Sequence, residues 1–392
     1  VGTYRYAVIG AGRQGTAAAF DLAVRGDAAG ILLADIDPEV AKSAAERVNM
    51  LAGWEAAIPV ALDAAHRSEV ALTFETLDAV VNAVPLRLVG VVTRAALDVG
   101  VPICDLSADP DTLETQFALD GTARARHMPI VPACGEAPGL GSNLQAYGLT
   151  LLDEPTDLRF YDAGLPLDPE PPWNYRLTFH VDGLLNEYAH PVTWIREGEP
   201  ITVRNLDPDE TVTIELDPPL GTMEAFPSNA GGTLVRTLAA GLRTYEARVL
   251  RYPGHVAQMN AFRDLGLFGT EPVEVDGAMV VPRDLLLALW EPQIAAGADA
   301  RDIVIARVEV FGHHEGALAR AVVEIRDGFD DVTGFTAMER TTGFHAAIVA
   351  RMMAAGMIEP GVHPPELAIA PGVMIDELRE RGFRINEVVT PA

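Results

Sequence analysis

A chain of 392 residues is too long for one ordinary hydrophobic core and predicts two domains. Its formal net charge of −27 excludes nucleic acid and anionic lipid, which are bound through positive patches; it would favour a cationic ligand, but on charge alone solubility accounts for it. No apolar run approaches the ~20 residues needed to span a membrane, and two cysteines, Cys104 and Cys134, are too few for a disulfide framework or the paired spacing of a structural zinc site.

The opening residues read as a strand rather than a secretory leader, so a reducing cytoplasm is the expected compartment. Tyr4–Ile9 is short and apolar, GAGRQG follows at once, and TAAAFDLAVRG reads as an Ala-rich helix ending at Gly26. In this strand, turn and helix, Gly10 permits the tight turn, Gly12 lets backbone approach a pyrophosphate and Gly15 lets the helix pack on the strand. Arg13 and Gln14 lie inside the same turn, where helix N-terminal amides face phosphates. A second apolar run, ILLAD, ends in Asp35, at the spacing of the acid that binds the adenosine ribose. That carboxylate repels a 2′-phosphate and no arginine follows in IDPEVAK, so the expected cofactor is NAD rather than NADP.

Further short apolar runs, IPVAL, LDAVVNAVP, VPICDLS and MPIVPACG, alternate with helical segments and predict a doubly wound Rossmann sheet of six parallel strands. Ligands of such sheets lie beyond the carboxyl ends of the strands, which puts Ala83, Val84, Pro85, Asp105, Ser107 and Gly135 beside the cofactor. For Asp105 and Ser107 a purely local loop role serves equally well. Cys104 is expected inside its strand.

Beyond CGEAPG, where Pro138 suits the first turn of a helix through LGSNLQAYGLTLL, the pattern changes. TDLRFYDAG, YRLTFHV, ITVRN and TVTIEL, broken by Pro and Gly, predict an antiparallel sheet. IVIARVEVFG and ALARAVVEIRDG predict a hairpin turning around His313, His314, Glu315 and Gly316. With no third ligand nearby, the two histidines read as a solvated turn, and no metal is expected. TTGFHAAIVARMMAAGMI reads as one long helix capped by Thr341 or Thr342 that returns to the first domain. Lys42 is the only lysine, so a catalytic base must be Asp, Glu, His, Tyr or water.

Taken together, GAGRQG, CGEAPGLGSNL, YRLTFHVDGLLNEY, RYPGH and TTGFHAAIVARMM resemble the saccharopine dehydrogenase family over nearly the whole chain. Within it, GLLNEY resembles the GLINEY of the bacterial lysine 6-dehydrogenases. The resemblance implies a Rossmann domain of residues 1–135 and 336–392, completed by the C-terminal helix. It further implies an inserted α+β substrate and dimerisation domain, 136–335, on a mixed, largely antiparallel sheet, and a homodimer. The implied reaction is NAD-dependent oxidative deamination of the ε-amine of lysine to the 6-semialdehyde. Two rivals stand beside it: a reductive enzyme of the same family making saccharopine or a carboxylated polyamine, and a catalytically silent NAD-binding regulator.

Saccharopine reductases usually carry arginine immediately before the glycine that is Gly183 here, whereas this chain has Asp182, an acid able to bind an ammonium group. Glu187 adds a second acid in the same segment, and both serve equally as solvated charges. Because the amine must lose a proton before hydride can leave its carbon, a base is required, and Glu136, Glu187 and His255 are the candidates. Glu136 would sit near the nicotinamide or simply favour the following helix N-terminus; His255 needs little tuning to act near neutrality. Of Arg243, Arg248 and Arg251, the resemblance selects Arg251 for the substrate carboxylate by placing RYPGH at the substrate cleft, and it adds Tyr175 to the substrate-binding set.

Overall fold

The computed structural model describes residues 2–177, 181–297 and 300–392, and the side chain of Asp182 lies outside the described residues. Two compact units result: Val1–Tyr147 with Asp331–Phe335 and Glu339–Phe383, and Gly148–Asp330 with Thr336–Met338 and Arg384–Ala392.

The first unit alternates strands and helices: β1 (Tyr4–Ile9), α1 (Arg13–Arg25), β2 (Ala28–Asp35), α2 (Pro38–Ala52), β3 (Ala57–Ala61), α3 (Arg67–Phe74), β4 (Ala79–Asn82), α4 (Leu86–Val99), β5 (Ile103–Asp105), α5 (Pro110–Phe117), α6 (Asp120–Ala125), β6 (Pro129–Val131) and α7 (Leu140–Leu149). Helices on both faces leave short strands such as AVVN and PIV buried along their whole length, which is why they read as unbroken apolar runs rather than alternating ones. Ile9, Val80, Ile103 and Ile130 share their core with Phe74 and Val92. The sheet has seven strands rather than the six expected, ordered β3-β2-β1-β4-β5-β6-β17, because β17 (Gly361–Val362) adds in parallel to β6. A two-residue strand carries too little periodicity to be read from sequence.

In the second unit, β7 (Glu154–Pro166), α8 (Val181–Ala189), β8 (Val192–Arg196), β9 (Glu199–Val203), β10 (Val212–Leu216), β11 (Gly221–Pro227), α9 (Leu234–Thr237), β12 (Thr244–Arg251), α10 (His255–Asp264), β13 (Val273–Val275), β14 (Ala278–Val280), α11 (Pro282–Ile294), β15 (Asp302–His314) and β16 (Ala317–Gly328) follow in order. The chain ends in α12 (Ala337–Ala354), β17, α13 (Pro365–Ala368), α14 (Pro371–Glu380) and β18 (Ile385–Pro391). The main sheet runs β10-β11-β12-β7-β15-β16-β18, with β8 and β9 branching from β12. Its pairings are antiparallel except for β12 on β7, so the sheet is mixed as expected.

Between β15 and β16 the hairpin turns on Glu315 and Gly316, both at positive φ (52° and 78°), the geometry that matches the twist of the flanking strands. His313 and His314 sit at its end beside Glu154 and Asp153, and among the described residues no three metal-ligating side chains are gathered. No helix among the described residues is long and apolar enough to cross a membrane.

Three expectations need correction. YRLTFHV does not form a strand over its described residues: Leu177 makes one isolated bridge to Ala295, Thr178, Phe179 and His180 lie outside the described residues, and Val181 already begins α8. The helix forms because Val181, Leu184, Leu185 and Tyr188 recur at helical spacing and bury one face. Thr341 and Thr342 do not cap α12, since it starts four residues earlier. The Asp302 carboxylate, from a strand 35 residues away in sequence, instead accepts the Ala337 and Met338 amides at 2.6 and 3.0 Å. Residues 384–392 go to the second sheet rather than completing the first domain, because β18 pairs along β16 from Ile385 to Pro391.

Candidate active site

In the first unit the turn after β1 has the form a dinucleotide requires. Gly10 has φ of +100°, and a Cβ there would meet the Ala83 carbonyl oxygen at 2.5 Å, which brings the turn against the end of β4. At Gly15 a Cβ would lie 1.9 Å from the Gly10 carbonyl oxygen, so only glycine lets α1 start this close to β1. Around Gly12 the space is open: an added Cβ meets nothing within 4 Å, and no side chain caps the N-terminus of α1. A helix N-terminus without a side-chain cap is the kind of end at which an anion binds.

Asp35 ends β2 with one carboxylate oxygen accepting the Ala11 amide at 2.9 Å and the other the Asp37 amide at 3.1 Å, which fixes the acid against the glycine turn. Arg13 is drawn into an ion pair with the buried Glu339 at 2.9 Å, and Gln14 follows it in the first turn of α1. Val84 and the exposed Pro85 lead into α4. Asp105 is buried, accepting from Gln116 Nε2 at 2.5 Å and the Ser107 amide at 2.9 Å. Burial outweighs those bonds and pushes its carboxyl up to about 6. Gly135 and Glu136 are buried in the loop before α7. These donors, the open turn and the acid at the end of β2 fit a nicotinamide dinucleotide.

His345 of α12, which the sequence reading did not single out, holds this loop: its Nδ1 lies 3.0 Å from the Cys134 carbonyl and its Nε2 2.8 Å from Asn143 Oδ1. Cys104 is buried in β5 as expected.

The second unit gathers four of the expected substrate and catalytic residues. Arg251, at the end of β12 and 4 % exposed, donates from Nη2 to Glu187 Oε2 at 3.0 Å and lies over the Tyr175 ring at 5.1 Å from its centre. His255 opens α10, its Nε2 2.9 Å from the Tyr188 hydroxyl, with Phe226 stacked on its ring. The remaining arginines are engaged elsewhere: Arg243 with Asp157 at 2.7 Å, Arg248 with Glu246 at 3.0 Å and over the Trp194 ring. Asp182 contributes backbone to α8, but its side chain is outside the described residues.

Electrostatics set these groups apart. Burial pushes the Glu187 carboxyl up to about 7, opposed by Arg251 and aided by the Asp162 charge. His255 is driven well below its ordinary value, first by burial and then by Arg251, and therefore stays neutral at neutral pH. Burial also holds the Tyr175 and Tyr188 hydroxyls protonated. The site thus offers one fixed cation, one carboxyl poised near neutrality and a neutral aromatic surround.

Two members escaped the sequence reading. Tyr188 is the last residue of GLLNEY, one turn past the buried Leu184, and the helical spacing would have revealed it had the segment been read as a helix. Asp162 is a lone acid within the apolar RFYDAG run and 7 % exposed, a position where a carboxylate has to have a purpose.

Family models match both parts of the chain: one described as the saccharopine dehydrogenase NADP binding domain over residues 6–132, and one as the saccharopine dehydrogenase C-terminal domain over residues 135–383. Among solved structures, apo histidine-tagged saccharopine dehydrogenase (L-Glu forming) from Saccharomyces cerevisiae is similar over 99 % of this chain and 100 % of its own, with a TM-score of 0.79 and 17 % identity. At that identity the likeness speaks to the fold. A probable dehydrogenase from Thermotoga maritima aligns over 98 % of each chain at 11 % identity, with a TM-score of 0.44 that is too low to argue from.

Proposed function

This chain belongs to the saccharopine dehydrogenase family and is a nicotinamide-dinucleotide-dependent oxidoreductase, and from that premise we propose that it oxidises the side-chain amine of L-lysine, with NAD as the preferred cofactor. The observation that carries this reading is Glu187, a carboxyl held near pH 7 and bonded to the buried Arg251. A base of that strength takes a proton from an ammonium group near neutrality, whereas the depressed His255 binds one too weakly. Of the candidate bases, Glu187 is thus favoured over His255.

The dinucleotide, when bound, supplies the hydride acceptor. Gly10, Gly12, Arg13, Gln14 and Gly15 would carry its pyrophosphate, Asp35 its adenosine ribose, and Ala83, Val84, Pro85, Asp105, Ser107 and Gly135 its remainder. Asp35 supports NAD because a 2′-phosphate would meet its carboxylate. Arg251 would share its charge between Glu187 and the substrate carboxylate, with Tyr175 flanking it, while Asp182 and Glu187 favour the cationic end. Glu187 takes the nitrogen's proton, the carbon gives up hydride, and water converts the resulting imine to ammonia and the 6-semialdehyde, which cyclises. We extend the reading to a homodimer, tested by sedimentation equilibrium.

The deciding experiment incubates the protein with NAD and, separately, lysine, ornithine, saccharopine, a carboxylated polyamine and diamines, and follows NADH absorbance. Turnover of lysine above the others supports the reading. Preference for saccharopine or a carboxylated polyamine moves the activity to the reductive branch of the family, and no turnover of any of them refutes it.

A further inference from the structure

A second polar site lies in the first unit, among none of the residues assigned to the dinucleotide. Between α4 and α5 is an open cavity of about 260 Å³ whose lining includes Arg87, Thr93, Arg94, Thr112, Thr115 and Gln116. Arg87 is exposed and Arg94 half-buried. Among the described residues neither Arg87 nor Arg94 is in an ion pair, and Arg94 donates only to the Gly90 carbonyl one turn back, at 3.2 Å.

The hydroxyls carry the complementary signal. Thr93 donates its proton to the Val89 carbonyl at 2.9 Å, Thr112 to Asp109 Oδ2 at 2.9 Å and Thr115 to the Asp111 carbonyl at 2.6 Å. With their protons committed, these oxygens meet a ligand only as acceptors. Gln116 is 1 % exposed, and Nε2 must face the Asp105 carboxylate, which leaves Oε1 buried with no hydrogen-bond partner. Thr93 Oγ1 already accepts from Gln116 Nε2 at 3.4 Å, so the buried acceptor left without a donor is Gln116 Oε1, facing a helix that carries the two arginines.

We propose that this cavity binds a small carboxylate carrying a hydrogen-bond donor on the adjacent carbon, either an amino or a hydroxy group. The carboxylate pairs with Arg87 and Arg94, and the donor satisfies Gln116 Oε1. Because Gln116 also holds Asp105 at the end of β5, the ligand fixes the side chain on which that carboxylate rests. This inference is independent of the amine-oxidation reading.

The test uses the full chain and three nearly isosteric probes, L-alanine, L-lactate and propionate, with inorganic phosphate as a fourth, by calorimetry or ligand-observed NMR. Alanine or lactate is expected to bind at least tenfold more tightly than propionate and phosphate; which of the two wins identifies the donor. Arg87→Gln combined with Arg94→Gln should weaken that binding at least tenfold, while Arg67→Gln, whose arginine pairs with Asp98 on the surface, should leave it unchanged. Equal binding of propionate, binding of phosphate as tight as the best probe, an unaffected double variant, or no binding at millimolar concentration overturns the proposal.

Discussion

Glu187→Gln tests the proposed chemistry most directly, because it keeps size and hydrogen bonding to Arg251 while removing the titrating group. General-base catalysis contributes roughly 10²- to 10⁴-fold, so kcat for lysine oxidation should fall by about that much, or about 3 to 5 kcal/mol of barrier. The pH profile is more diagnostic than the rate. With Glu187 at about 7, kcat/KM for the wild type should rise with pH through that value as the carboxyl loses its proton, and the variant should lack this rise. The substrate ammonium titrates near ~10.4 and adds only a separate alkaline limb.

Stability should move in the opposite direction. The folded protein holds the Glu187 proton more tightly than the unfolded chain, whose ordinary value is 4.5, so this stabilisation is full below 4.5 and is lost as pH rises through about 7. Converting the shift gives about 3 kcal/mol at most, and the 29 % exposure of the side chain reduces it to about 2. The wild type should therefore lose about 2 kcal/mol more than Glu187→Gln between pH 4.5 and 8, as read from urea midpoints. A variant that keeps the inflection near 7, or loses less than about fivefold in kcat, shows that another group is the base and refutes the reasoning.

Other substitutions separate the remaining roles. Asp35→Ala should erode the preference for NAD by roughly 10- to 100-fold, the scale of a lost charge-assisted bond; equal or better use of NADP by the wild type would defeat the assignment. Asp182→Asn should lower the specificity constant for lysine by roughly one to two orders of magnitude with NAD affinity intact, and an unchanged constant would make Asp182 a surface charge. Activity should survive dialysis against a chelator, whereas loss restored by zinc would give His313 and His314 a metal role. Asp302→Ala should destabilise the protein by about 1 to 2 kcal/mol through the uncapped α12, measured by chemical denaturation, and a change under 0.5 kcal/mol would place the start of that helix under other control.

The first unit was legible because its signals are local. The glycines, the apolar strand before them and the acid after the second strand act over one supersecondary unit, and the open space at Gly12 and the close approach at Gly15 are what those residue types require. The second unit was less so. GLLNEY sits beside YRLTFHV, whose alternation of apolar and polar residues reads as a strand, and only the helical spacing of Leu184 and Tyr188 separates the two. Four members of the buried cluster were named from residue type and resemblance, but Asp162 comes from a strand before them and Tyr188 from GLLNEY, the segment that follows the expected strand. Their meeting with Arg251 is a product of long-range packing. The start of α12 was hidden for the same reason, since its cap is donated by Asp302 from another strand.

The late arrival of β17 has a consequence for how the chain is made. β6 ends at Val131, but the strand that covers its outer edge begins only at Gly361. At roughly 5 to 20 residues per second, a ribosome takes on the order of ten to fifty seconds to traverse the stretch between them. Throughout that interval the parallel sheet has six strands and an open border, an exposed template for association with a neighbouring nascent chain. Synthesis of this protein should therefore be most prone to aggregate while the second unit is being translated, and stalling before residue 361 should expose a protease-sensitive border that release of the full chain removes.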